Sequence, residues 1–379
     1  MIYSLNCLFL CVPYLPVITD YLPFYIQIEG EETANDTAQV WGFLLKSSPY
    51  PVFPNPKEKF SVDWKDEDGV DEQGGAQMLS SIDFSVDFLL LTKDRNNLPS
   101  QTQTRQMIGR FVDAVRGGYF SVYDAYTGIG LRKVRYVGYT SGVYWYDGHR
   151  TGYVFSVQMC CDDPAARMTL SDGAIVPYSS AAVLPNPYSP IVSGYKPFYI
   201  QPESGSTATD TKAVWGLVAK SDPVPVMPNA KEPFRERTPQ ENGDMGFAAV
   251  RLQPIDFRAH FFIKAYDSAP LSAQEILLSR LLAFRTLLTS DRLLVLDSYT
   301  DFGKAKVRYA GGNVDSFVAG GGAACAIVAI DFRALDPVSD VEYDNGSLVA
   351  VEYAGLNDVE GVELYDTNAV RLRAPHSNN

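Results

Sequence analysis

The sequence repeats itself, and that restricts the chain to folds that hold two copies of one unit. Displaced by 174 positions, residues 13–60 lie over 187–234 without a gap, and 27 of the 48 paired residues are identical. Both stretches contain Phe-Tyr-Ile-Gln (Phe24 to Gln27, Phe198 to Gln201), Ala-x-Asp-Thr (Ala34 to Thr37, Ala208 to Thr211) and Val-Trp-Gly (Val40 to Gly42, Val214 to Gly216). Both continue through Lys-Ser-x-Pro-x-Pro-Val-x-Pro-Asn-x-Lys-Glu-x-Phe. At an offset of 173 the match resumes with Ile-Asp-Phe (82–84 and 255–257), Asp-x-Tyr-Thr (124–127 and 297–300) and Lys-Val-Arg-Tyr (133–136 and 306–309). It ends on Asp163-Pro164 and Asp336-Pro337. A unit of roughly 150 residues has been duplicated, and each copy is long enough to bury its own core.

The repeat divides the chain into an N-terminal arm (1–12), a first copy (13–164), a linker (165–186), a second copy (187–337) and a C-terminal extension (338–379). The extension has no expected counterpart after the first copy, and its Ser-Leu-Val-Ala-Val-Glu-Tyr run reads as one or two further strands. Residues 1–21 are apolar, but they contain no cation and Pro13 and Pro16 interrupt them. A leader or membrane span is therefore not expected there, and a docking arm is.

Aromatic and β-branched runs bounded by Pro, Gly and Asp predict a mainly β (α+β) fold: two tandem β-sandwich domains, each with one helix packed on a sheet. Val-Trp-Gly and its continuation read as a strand in each copy, with Trp41 and Trp215 in the core. The helices are expected over 101–116 and 273–288. Apolar residues at Ile108, Phe111 and Val115 match Leu281, Phe284 and Leu288, and the spacing of three and four makes one stripe. Capping boxes are expected at Ser100 with Gln103 and at Ser272 with Glu275.

Charge and composition exclude several functions. The net charge is −13, with 45 acidic against 32 basic side chains, and no basic stripe exists for reading a duplex. The five cysteines (Cys7, Cys11, Cys160, Cys161, Cys325) fall at unmatched places in the two copies, which argues against a disulfide framework and fits a reducing compartment. Residues 63–75 form an acidic loop, but counting back from Gly69 puts Trp64 at the first ligand position of a calcium loop. The pattern fails, so a solvated, mobile loop is expected. His149, His260 and His376 have no ligand partners at metal spacing. Cys160-Cys161 reads as buried apolar packing, and Gly320 to Gly322 as a hairpin tip. No catalytic, metal or cofactor site is expected.

The order of elements carries a resemblance. Ile-Asp-Phe-Ser-Val-Asp-Phe-Leu-Leu-Leu-Thr-Lys leads to an amphipathic helix, then to a hairpin through Lys-Val-Arg-Tyr, then to a strand ending in Asp-Pro. The second copy repeats that order. This resembles the tail-tube domain of bacteriophage tails, in particular that of distal tail proteins. The resemblance implies a virion structural protein of the tail, made in the host cytoplasm, whose domains join edge to edge into a ring around a channel. An acidic wall would repel passing DNA. Two domains per chain imply a trimer acting as a pseudo-hexamer, with a hexamer as the alternative. Neighbouring tube, hub or tail-fibre proteins would be its partners, with genome DNA passing through unread and no membrane anchor. The exact place, whether tube, distal ring or hub, stays open, because a standard distal tail protein has one tube domain and a carbohydrate-module-like one. Two other readings compete: a duplicated glycan-binding adhesin, favoured by the aromatic content, and a two-domain enzyme using Asp83 with Asp256 or Asp124 with Asp297.

Overall fold

In each copy an alternating apolar strand opens the domain, starting with β1 (Phe24–Ile28), where Phe24 and Ile26 are buried. The next stretch departs from expectation. Thr37 to Trp41 is a short helix, α1 (Thr37–Trp41), not part of a strand. Asp36 caps it by accepting from the Ala38 N–H, Gly42 ends it at φ 72°, and Thr37 Oγ1 donates to the Phe43 carbonyl at 3.0 Å. Residues Thr211–Trp215 repeat the arrangement, with Asp210 as the cap and Gly216 at φ 72°. An Asp N-cap and a left-handed Gly fix one turn of helix more firmly than Val and Trp favour a strand. The repeated Asp-Thr and Trp-Gly are thus the two ends of one small device.

The computed structural model describes residues 22–64, 67–72, 74–94, 98–178, 194–220, 228–231, 235–236, 245–246, 251–269, 271–351, 353–355 and 373–375. The N-terminal arm lies outside them. After α1 come β2 (Phe43–Ser47), β3 (Ile82–Lys93), α2 (Ser100–Val115), β4 (Phe120–Asp124), β5 (Ile129–Tyr146), β6 (Arg150–Ser171) and β7 (Ala174–Pro177). The second domain runs β8 (Phe198–Pro202), α3 (Thr211–Trp215), β9 (Val218–Ala219), β10 (Ile255–Tyr266), α4 (Ala273–Leu288), β11 (Leu293–Asp297), β12 (Phe302–Gly320) and β13 (Ala323–Ala334). It closes with β14 (Asp340–Asp344) and β15 (Ser347–Val351). The first sheet is ordered β1-β4-β5-β6-β3-β2 and the second β8-β11-β12-β13-β10-β9, antiparallel throughout. The fold is mainly β, with a helix laid on each sheet.

The helices lie where the apolar stripe puts them, and aromatic rings lock them down. Phe111 of α2 meets Trp41 at 5.4 Å and Phe43 at 5.1 Å between centroids. Phe284 of α4 meets Trp215 at 5.2 Å and Phe261 at 5.6 Å. Ser272 and Glu275 form the expected capping box. The first copy does not: Pro99 takes the cap position without a side-chain bond, and the Gln103 amide turns to the carbonyls of Lys93 and Leu98.

The expected linker and the expected unmatched tail need correction together. Residues 165–177 continue β6 and return along β7, so they belong to the first sheet. In the second copy β14 and β15 form the same hairpin. Ile175 N–H donates to Gln27 Oε1 at 2.6 Å, as Leu348 N–H does to Gln201 Oε1 at 2.7 Å. Ala34 N–H reaches the Gly173 carbonyl just as Ala208 N–H reaches that of Gly346, both at 2.8 Å. Asp172-Gly173 and Asn345-Gly346 turn these hairpins with positive φ at all four residues, the geometry of a tight two-residue turn. The structural repeat therefore extends to 351.

Replacing Phe111 or Phe284 by Ala should each cost about 3–5 kcal/mol in denaturant unfolding of the full chain, since each ring is buried among other rings. A loss below about 1 kcal/mol at either position would show that the ring contributes nothing to its core.

Candidate functional site

Between β2 and β3 the first copy leaves its sheet for residues 48–81. The base of this excursion is zipped by a bridge between Pro56 and Leu79, with Lys57 N–H to the Met78 carbonyl at 2.7 Å and Ser80 N–H to that of Asn55 at 2.9 Å. The second copy has the same base. Ala230 bridges Leu252, Lys231 N–H donates to Arg251 at 2.7 Å, and Gln253 N–H donates to Asn229 at 2.7 Å. A Pro-rich segment with few free N–H groups suits such a strap, because its fixed φ angles leave little backbone freedom to lose.

The first copy's strap lies on the second domain. Tyr309 Oη of β12 donates to the Pro54 carbonyl at 2.9 Å, and Gln77 Nε2 donates back to the Tyr309 carbonyl at 3.1 Å. Tyr50 stacks on Phe317 at 4.6 Å between centroids. A side chain at Gly311 would collide with Asn55, and a Cβ at Gly312 would stand 3.3 Å from Phe53 Cβ. Arg285 of α4 donates to the carbonyls of Val52 and Pro164. Arg308 pairs with Glu72 at 3.1 Å while nearly fully buried. The contact is one-way: among the described residues, Tyr136, the counterpart of Tyr309, makes no mirror-image bond.

The acidic loop belongs to this contact and is not the solvated loop expected from its composition. The Lys231 ammonium donates to the carbonyls of Trp64, Glu67 and Gly69 at 2.8, 2.9 and 2.5 Å and pairs with Asp63 at 2.5 Å. Asp68 accepts from the Leu252 N–H, and Val70 N–H donates to the Leu335 carbonyl. The loop wraps a cation after all, but that cation is the second domain's lysine. Three of its four partners here are main-chain carbonyls, which no pattern of side-chain spacing in the sequence could disclose.

Two long hairpins, β5–β6 and β12–β13, project from the sheets. β4 pairs with β5 only between Ile129 and Val134, so among the described residues 135–146 bond on the β6 side alone. Likewise β2 covers only Asp87 to Leu90 of β3. Such half-paired strands are open templates for another strand. In the first copy the outer face of this sheet carries Asp83, Asp87, Gln158 and Arg135. In the second, its carboxylates are matched: Arg258 binds Asp331 at 2.5 and 2.9 Å and Arg333 approaches Asp256 at 3.7 Å. The acid surplus of the chain is therefore not gathered on the second copy's face.

The residues singled out for chemistry serve the fold. Asp124 accepts from Tyr126 N–H and Thr127 Oγ1, both at 2.8 Å, and from Ser48. Asp297 accepts from Tyr299 N–H at 2.9 Å and Thr300 Oγ1 at 2.8 Å. Each closes its own turn, so the pair does not form a dyad. Asp83 stands opposite Cys160 and Asp256 opposite Arg333, in separate sheets. Cys160 and Cys161 are free, and burial pushes both thiols up to about 11. His149 lies beside Asp94 at 3.2 Å and His260 beside Asp315 at 3.6 Å, and among the described residues no cluster of three metal-binding side chains occurs. His376, Cys7 and Cys11 lie outside the described residues.

No known family's sequence profile matches this chain, and no curated protein matches it. Among solved structures, the chain is aligned with that of the SPP1 Dit protein (gp 19.1), described as a paradigm of the hub adsorption apparatus in phages infecting Gram-positive hosts. The identity is 10%, the TM-score 0.28, and 82% of this chain and 98% of that one are covered. That score is below the level at which two folds correspond, and nothing about this chain follows from it.

Tyr309→Phe should lower stability by about 0.5–1.5 kcal/mol, and Lys231→Met, which leaves converging carbonyls unmatched, by about 1–3 kcal/mol. Both should speed proteolytic cleavage within 48–81, and unchanged cleavage would show that the strap is not held by these bonds. The raised, buried thiols of Cys160 and Cys161 should resist alkylation in the native chain at pH 7.5 and react only after unfolding. Rapid native labelling at either would contradict this.

Proposed function

We propose that this protein is a structural ring component of a bacteriophage tail, three chains supplying six tube-like domains around a channel through which DNA passes unread. The observation that carries the reading is the one-way docking of one copy on the other. Like units joined head to tail make a heterologous interface, which repeats until it closes into a ring or runs on as a filament. The half-paired edges of β5 and β3 supply strands that a ring can join, and closure removes exposed edges. The strand, helix, hairpin and closing-strand order in both copies agrees with the tail-tube domain that the sequence resembles. Adjacent tail proteins would cover the ring's two faces.

One feature favours a second reading. Tyr139, Tyr144, Trp145 and Tyr146 are exposed along β5, and exposed aromatic rings are what a glycan-binding module uses.

Mass photometry of the purified chain decides between them. A trimer of 41.8 kDa chains gives about 125 kDa (3 × 41.8). A ring of six whole chains, or a stable monomer at every concentration, overturns the trimer. A monomer that also binds a glycan array points to the adhesin.

A further inference from the structure

We propose that the outer face of the first sheet is a docking surface for a second copy of this chain, which presents the outer face of its own second sheet. The helix of each domain covers one face only. Phe111 of α2 reaches Phe88 and Phe155 through Phe43, and Phe284 of α4 meets Phe261. An antiparallel sheet covered on one face is expected to be polar on the other. Near the base of each sheet that holds, with Asp83, Ser85 and Gln158 exposed in the first and Asp256, Arg258 and Arg333 in the second. Toward the hairpin ends it fails. On the outer side Leu89 stands directly across the ladder from Val154, and Phe262 from Ile327. Leu91 and Trp145 close over Gly152, each 3.4 Å from where its Cβ would stand.

Leu91, Trp145, Phe262, Val318 and Ile327 are 40%, 38%, 41%, 50% and 38% exposed. Three outer positions are apolar in both copies although none is identical: Leu89 answers Phe262, Val154 answers Ile327, and Trp145 answers Val318. The exposed apolar cluster has thus outlasted the change of every side chain in it, which marks a surface that is covered in use.

Charge selects the occupant. The base of the first face carries Asp83 and also Asp87, which accepts from the hydroxyls of Ser47 and Ser156, while Arg135 beside them is taken by Asp162 at 3.2 Å. Two first faces would bring four such carboxylates together, and like charges across an interface are unfavourable. The second face instead carries Arg258 beside Asp331 and Arg333 beside Asp256, both arginine side chains about half exposed. A guanidinium has five N–H donors, so each can take a partner's carboxylate as well as its own. Sheet faces with apolar side chains pack on one another at about 10 Å. Each chain owns one face of each kind, so the contact runs head to tail from chain to chain. It does not rest on the tail reading, because a head-to-tail assembly of any purpose would use it.

Two lesions test it in the full-length chain. Trp145→Glu and Phe262→Glu each put a carboxylate into one apolar cluster, and burying that charge in a contact is unfavourable. Both side chains are exposed in the single chain, so folding should be unchanged, which far-UV circular dichroism checks. Leu91→Lys and Ile327→Lys repeat the test with the opposite charge. By sedimentation velocity over a range of concentrations, the wild type should form species larger than two chains, and each variant alone should remain a single chain. An equal mixture of Trp145→Glu and Phe262→Glu should form a two-chain species of about 84 kDa (2 × 41.8) and nothing larger, since one first face and one second face survive. Pairing of like faces reads out differently. Dimers from Phe262→Glu alone would mean first on first, and dimers from Trp145→Glu alone second on second; either overturns the assignment. Assembly of both variants as in the wild type overturns the docking surface and leaves the ring reading standing. A wild type that stays monomeric at every concentration overturns both.

Discussion

The bond from Tyr309 to the Pro54 carbonyl, with Tyr50 stacked on Phe317, holds a strap of one domain against a strand of the other. Much else in the structure depends on that contact. It explains why α4 is buried on two sides, why Lys231 can lie in the interior with its ammonium surrounded by carbonyls, and why Gly311, where a side chain would collide with Asn55, is glycine. Glycine at 311 lets the Asn55 side chain approach the bulged strand closely, while at 312 a Cβ would first meet the Ala329 carbonyl of β13 in the same sheet. The strap that covers Arg285 and Arg308 also brings their partners, the carbonyls of Val52 and Gly75 and the Glu72 carboxylate, which burial of a charge requires.

Much of the fold was legible because duplication keeps what the fold requires. Phe111 and Phe284 could be placed in the core from spacing alone. Val-Trp-Gly misled because Val and Trp favour strands, while the Asp cap and the Gly stop that decide the matter lie outside the tripeptide. The closing hairpins escaped because Asp172-Gly173 and Asn345-Gly346 share only the glycine, although both dipeptides are strong turn signals. The acidic loop was misjudged for a different reason. Its partners lie across the domain boundary and act through main-chain oxygens, which no local pattern reveals.

The two helices show how one unit acquires two surfaces. Where α4 has Ile276 and Leu278, α2 has Gln103 and Arg105. A face that is covered as soon as the chain folds can be apolar. One that meets water for any length of time must stay polar to keep the protein soluble. The repeats therefore share a core but differ on the helix face, which is covered in α4 and more exposed in α2.

The strap also has a consequence under dilution. Tyr178 and Phe198 are joined by residues 179–197, a tether whose contour of roughly 65 Å confines one domain near the other. Tethering of this kind sets an effective concentration on the order of millimolar, so contact between the two halves of a chain is made at any dilution. The strap therefore closes on its strand whatever the amount of protein present, so the joint between the halves is a property of the single chain and not of its concentration.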